Sequence, residues 1–141
     1  MRQFFHLGVK TVLVASGLFV LVGELFPRVI VGIFTEPTPQ VVSMAVYAIR
    51  IYFIAYLPMG INIITSTFHQ SLESFREATL ISLARGLIFL VPALFLLGEV
   101  FGVNGIWATV PVCEGLTLLL SILLLRRLFA ARFPEESSSA L

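Results

Sequence analysis

The chain has no aspartate at all, a single cysteine (Cys113) and two histidines (His6 and His69). One cysteine excludes an internal disulfide, and Cys113 sits inside an apolar run, where a small buried thiol is the plain reading. The two histidines are far apart and have no companions at ligand spacing, so no metal site is expected. There is no P-loop, GxGxxG or GxSxG signature. Enzyme chemistry is poorly supplied, and the protein is expected not to be an enzyme and to need no cofactor. Charge is scarce as well. Charged residues make up 12% of the 141 residues, about half the usual share of a soluble domain, and the net charge is +1. Basic residues do not cluster, which excludes a nucleic-acid partner.

What the chain has instead is apolar side chain: 58% hydrophobic residues and a mean hydropathy of +1.02. A chain of this size cannot hide that much from water, and intrinsic disorder requires the opposite composition. An all-α integral membrane protein surrounded by lipid is the class that remains. Four stretches approach or exceed the ~20 apolar residues that a spanning helix needs, at about 11–34, 41–68, 78–97 and 106–125. Helix is the expected form because lipid leaves backbone groups no other partner. The first stretch reads as a span rather than a cleaved signal peptide, since its apolar pattern resumes after Glu24. Residues 1–10 are expected as a cytoplasmic N-terminal segment, 11–127 as the membrane region and 128–141 as a polar cytoplasmic tail.

Punctuation supports this division. Thr35 to Gln40 is polar and proline-rich, with Thr38 placed to cap the next helix and Pro39 at its first position. Ser71 to Glu77 forms a polar connection, and Gly98-Glu99 together with Gly102 to Gly105 reads as the last turn. If the spans alternate, Arg2, Lys10, Arg76, Arg85, Arg126, Arg127 and Arg132 fall on one side, against Arg28 and Arg50 on the other. The basic excess favours both termini in the cytoplasm, and the inner (plasma) membrane is the expected location.

The spans hold features that pure lipid anchors do not need. Each has an interior proline: Pro27, Pro58, Pro92 and Pro111. These are either ordinary membrane prolines or bendable points, and Pro58 with Gly60 is the best hinge candidate. Glu24 and Glu114 fall near the middle of the apolar slab, where a charge costs roughly 2.5–3.5 kcal/mol on insertion scales. Glu24 and Arg28 stand at i, i+4 and are expected to neutralise each other. Glu114 has two readings: a structural partner for Arg85 or a hydroxyl, or a site that loads and releases a proton in a transport pathway. Arg85 is read as structural, reaching Glu114 or snorkelling to the interface. The second span carries a polar stripe of Asn62, Thr65, Ser66, His69 and Gln70 beyond Tyr52 and Tyr56. Either it lines a wet cavity, with Asn62, Tyr56 and Gln70 as candidates, or it is interhelical glue. His69, close to the end of its span, is expected at the interface.

Several segments recur together in an informative order. Phe26-Pro27 leads to Ile33-Phe34-Thr35-Glu36; then come Tyr47, Arg50-Ile51-Tyr52 and Leu57-Pro58-Met59-Gly60-Ile61-Asn62. Phe68-His69-Gln70-Ser71-Leu72 precedes Arg76-Glu77-Ala78, and Ser82-Leu83-Ala84-Arg85 opens a helix running to Pro92. Phe101-Gly102-Val103-Asn104-Gly105-Ile106-Trp107 enters the last helix, which contains Pro111 and Glu114. This succession resembles the C-terminal end of the MATE family, the multidrug and toxic compound extrusion transporters. The resemblance implies helices nine to twelve of a twelve-helix transporter, part of one of its two six-helix lobes. It also implies export of small organic cations or amphipathic compounds in exchange for protons or sodium. Glu114, then Glu24, would be the proton-coupling carboxyls, with Arg85 and Arg28 as structural ion-pair residues. Two departures stand out. Glu73-Ser74-Phe75 occupies a loop where the family often has a Gly-basic-Pro turn, and the tenth-helix equivalent has no carboxylate, so no sodium site is assigned. Four helices cannot form a cleft between two lobes; the remainder of the transporter or self-association is the expected partner. Alternatives are a lipid-linked saccharide flippase of the same superfamily and a four-span assembly subunit without transport.

Overall fold

The computed structural model describes residues 2–34 and 38–132. All regular structure among them is helical: α1 (Arg2–Leu25), α2 (Pro27–Phe34), α3 (Pro39–Ile54), α4 (Tyr56–Ser71), α5 (Phe75–Leu83), a π turn (Ala84–Ile88), α6 (Leu90–Phe101) and α7 (Val103–Arg132). Four stretches are long and apolar enough to cross a membrane: Gln3–Leu25, Pro39–Ser71, Phe75–Phe101 and Val103–Ala131. The chain is a multi-pass helical membrane protein.

Three of the four span prolines lie just after an interruption. Pro27 follows Phe26, where α1 ends and α2 begins. Pro58 follows the break at Ala55, whose N–H reaches back only to the Tyr52 carbonyl (3.0 Å). Pro92 follows the π turn, closed by Phe89 N–H on the Ala84 carbonyl at 2.9 Å. A proline supplies no N–H to the carbonyl four residues earlier, so the ladder is weakened upstream of the ring. Pro111 is different: α7 runs through it without interruption.

Element ends differ from the sequence reading in several places. The first helix starts at Arg2 and breaks at Phe26, so its continuous part covers residues 2–25 rather than 11–34. Phe4, Phe5, Leu7 and Val9 make its first turns apolar enough to extend the span. Thr38 and Pro39 take the expected cap and first positions, but the Thr38 hydroxyl makes no capping bond. Gly98 and Glu99 stay helical, and the last turn shrinks to Gly102, whose φ of +60° suits a residue without Cβ. The turn Leu72–Ser74 is closed by Ser74 N–H on the His69 carbonyl at 2.9 Å, with Glu73 at φ 59°. Helix α7 continues to Arg132, and the remainder of the expected tail lies outside the described residues.

The packing is inverted relative to a water-soluble protein. His69, Thr117 and Ser121 are 0% exposed, whereas Phe4 and Phe34 are 80% and 84% exposed. Small and polar side chains sit between the helices and large apolar ones face outward, which suits a lipid surround. Helix α4 is central, packing on α1, α5 and α7. At one end Phe5, Phe68 and Phe129 form an aromatic cluster that ties α1, α4 and α7 together, with Phe5 and Phe68 centroids 4.7 Å apart.

Candidate functional site

The most highly connected polar cluster lies where α4, α7 and the π turn meet. Asn62 on α4 is 1% exposed, and Glu114 on α7 is 3% exposed. The Asn62 Nδ2 donates to Glu114 Oε2 at 2.8 Å and also to the Glu114 main-chain carbonyl at 3.0 Å. Asn62 Oδ1 accepts from the Ser121 hydroxyl at 2.9 Å. Glu114 and Ser121 are seven residues apart, two helical turns, which puts both on the face of α7 that meets α4. On the other side of the carboxyl, Arg85 Nε lies 3.8 Å from Oε1. The π turn holds Arg85 there, and Cys113, next to Glu114, donates its thiol to the Arg85 carbonyl at 3.0 Å. Two neighbouring residues of α7 therefore grip one arginine by its side chain and its main chain. Every oxygen of the Glu114 carboxyl has a polar partner, as a carboxyl withdrawn from water requires.

Arg85 is only partly covered: 37% of its side chain is exposed. It opens onto a cavity of about 180 Å³ that Asn62, Ser66, Gln70 and Ser82 also line. Drug-sized ligand sites are typically about 300–1,000 Å³. This space by itself suits a few waters or one small group of a larger ligand. The Ser66 and Ser82 hydroxyls both donate to the Ala78 carbonyl, at 3.3 and 3.1 Å, so their remaining lone pairs accept. Donors come from Arg85 and the Gln70 amide.

The other residues singled out in the sequence lie elsewhere. Tyr56 stands in an aromatic group, its ring centroid 5.6 Å from Phe19, 5.2 Å from Phe53 and 6.3 Å from Tyr52, and does not line the Arg85 cavity. Glu24 pairs with Arg50 of α3 at 3.6 Å and not with Arg28 as expected. The break at Phe26 separates Glu24 from Arg28 and removes the regular i, i+4 geometry on which that pair depended. The Glu24–Arg50 pair is open, with side chains 37% and 55% exposed, unlike Glu114. Gly60, two residues past Pro58, is required for close approach: a Cβ there would overlap the Val12 side chain and come within 2.6 Å of Ser16 Oγ. It lets α1 and α4 approach closely. His69 is wholly buried between helices near the end of its span; its Nδ1 meets the Thr65 carbonyl at 2.9 Å, while Nε2 has no partner. Ser121 and the Cys113 thiol were missed from the sequence. The seven-residue step from Glu114 would have flagged Ser121; nothing local marked Cys113. Among the described residues, no group of histidine, cysteine or acidic side chains is placed to hold a metal ion.

Comparison with known proteins adds family evidence. The MatE family model matches residues 1–95, a stretch that contains Asn62 and Arg85 and ends before Glu114. The multidrug export protein MepA of Staphylococcus aureus (strain bovine RF122 / ET3-1) is 27% identical over 94 residues, 67% of this chain. The aligned stretch is 20% of MepA, so the chain spans only a minor part of that relative's length. No solved structure matches. With well over half of its residues matched by the family model, the chain belongs to the MatE family.

Proposed function

We propose that the chain forms part of a MATE-like efflux antiporter for organic cations or amphipathic drugs, a transporter rather than an enzyme, with Glu114 as its proton-coupling carboxyl. The observation that carries this reading is a carboxyl 3% exposed inside a membrane-spanning bundle, held by Asn62 and Arg85 beside a polar cavity. Intramembrane carboxyls of this kind mark ion and proton pathways. A protonation change there alters the local charge by one unit and biases two arrangements of the helices, as alternating access requires. Glu24, half-buried and paired with an exposed Arg50, is the weaker proton candidate. The coupling ion is a proton or sodium, and the chain's own side chains favour the proton.

Thr67, Gln70 and Ser82 are exposed beside Arg85 on one side of the bundle. Polar side chains and a guanidinium do not face hydrocarbon at low cost. This side is read as the lining of a cleft that is completed by the remainder of a longer transporter or by a second copy of the chain. The four spans would then stand for helices nine to twelve of such a transporter, in the inner (plasma) membrane with both chain ends on the cytoplasmic side. The test is proton-driven efflux of a fluorescent cationic dye from vesicles carrying the whole transporter. Glu114→Gln should abolish coupling to the proton gradient while leaving the protein inserted; undiminished proton-driven efflux would overturn the assignment.

A further inference from the structure

Asn62 makes a demand on the carboxyl it holds. Its Nδ2 meets two acceptors at once, Glu114 Oε2 at 2.8 Å and the Glu114 main-chain carbonyl at 3.0 Å. A main-chain carbonyl accepts and never donates, at any pH. The amide group facing it must therefore be the NH₂ end. The other end agrees, because Oδ1 accepts from Ser121 at 2.9 Å. Inverting the amide would set Oδ1 against two oxygens, one of which can never supply a hydrogen. Oε2 is thus kept as an acceptor whether or not Glu114 is charged. The remaining oxygen, Oε1, is the one that faces Arg85 Nε at 3.8 Å, and Arg85 in turn lines the 180 Å³ cavity.

We infer that Asn62 is a positioning residue that confines the exchangeable proton of Glu114 to Oε1, so that the proton and the Arg85 guanidinium are alternative occupants of one oxygen. The inference rests on the proton-site reading of Glu114. On loading, a hydronium ion in the cavity gives its proton to Oε1, forming an O–H bond there and leaving as water. The carboxyl passes from one negative charge to neutral, and its ion pair with Arg85 is lost. Arg85 keeps its charge and has room to turn, its side chain being 37% exposed toward the cavity. Unloading reverses each step. The proton enters and leaves past Arg85, the residue that stands between Oε1 and the cavity.

The other neighbours leave this assignment undisturbed. On α7 the Cys113 thiol is spent on the Arg85 carbonyl, and the Thr117 hydroxyl on the Cys113 carbonyl. Helices α3, α5 and α6 also pack on α7 and carry the titratable residues Tyr47, Arg50, Tyr52, Arg76, Glu77 and Glu99. Arg50 is paired with Glu24, and among the described residues no hydrogen bond or ion pair reaches Glu114 from any of these three helices.

The test is infrared difference spectroscopy of the full chain in lipid bilayers across a pH titration, with Glu114→Gln identifying the Glu114 band. A protonated Glu114 whose carbonyl oxygen accepts from Asn62 should show a lowered C=O stretch, and Asn62→Leu should move it to higher wavenumber. In the unmutated chain, isotope-edited solid-state NMR should find the Asn62 Nδ2–Glu114 Cδ distance unchanged across the titration. A band that ignores Asn62→Leu, or a distance that lengthens when Glu114 takes its proton, overturns the confinement and leaves the proton site standing. Absence of any Glu114 band removes the proton site, and the inference falls with it.

Discussion

At the scale of single residues, the decisive fact is that Asn62 uses both ends of its amide. A buried donor or acceptor left without a partner typically costs about 1–3 kcal/mol. In membrane bundles, however, interhelical hydrogen bonds average about 0.6 kcal/mol with a maximum near 1.7, because the unfolded chain also finds partners in the membrane. Ser121→Ala removes the hydroxyl from Asn62 Oδ1. It should lower stability by about 0.6–1.7 kcal/mol in an SDS unfolding titration. Thr117→Val removes only a bond to the residue's own helix and should cost less. Gly60 works on the same scale through volume. Gly60→Val overlaps Val12 and Ser16 across the α1–α4 contact. Overpacking of this kind costs about 1–3 kcal/mol, which the same titration should show as a loss of the folded fraction.

At the scale of elements, interruptions place the site. The π turn delivers Arg85 to Glu114, and single π turns recur at functional positions in helices. The turn between α4 and α5 is held at a cost. Glu73 sits at φ 59°, in the left-handed region where a residue with Cβ loses roughly 1–2 kcal/mol. Glycine removes that penalty but makes the unfolded chain looser. Glu73→Gly should therefore raise the unfolding free energy by a net ~1 kcal/mol or less, seen as a higher midpoint. A lower midpoint would show that the Glu73 side chain, not its backbone, matters there.

At the scale of the whole molecule, the outward surface is not uniform. Most of it is apolar and suits lipid, but the side bearing Thr67, Gln70, Ser82 and Arg85 is polar. Single cysteines report the difference. Thr67→Cys and Gln70→Cys should react with a membrane-impermeant, water-soluble thiol reagent, while Leu119→Cys, 61% exposed on the apolar surface, should stay unlabelled in bilayers. The Cys113 background, 1% exposed, is expected to be silent. Equal protection of Thr67→Cys and Gln70→Cys would put that side against lipid or dry protein and remove the cleft reading.

Composition and apolar run length determined by themselves that this is a helical membrane protein with four spans, because lipid leaves the backbone no alternative to helix over about 20 residues. The scarcity of charge also singled out Glu114 and Arg85, and the polar stripe of the second span Asn62, before their contacts were known. Tertiary structure alone decided who meets whom. Glu24 chose Arg50 over Arg28 because a helix break lies between the sequence neighbours. Tyr56 went to Phe19 and Phe53 and not to the Arg85 cavity, and His69 went inside because α4 is packed on three other helices. Ser121 and Cys113 entered the site from two turns and one residue away along α7, a relation that acquires meaning only once α4 and the π turn are laid against that face. Solvent preference is a property of each residue and can be read in order along the chain, whereas the pairing of polar groups depends on how separate helices rotate and cross, which no local stretch of sequence encodes.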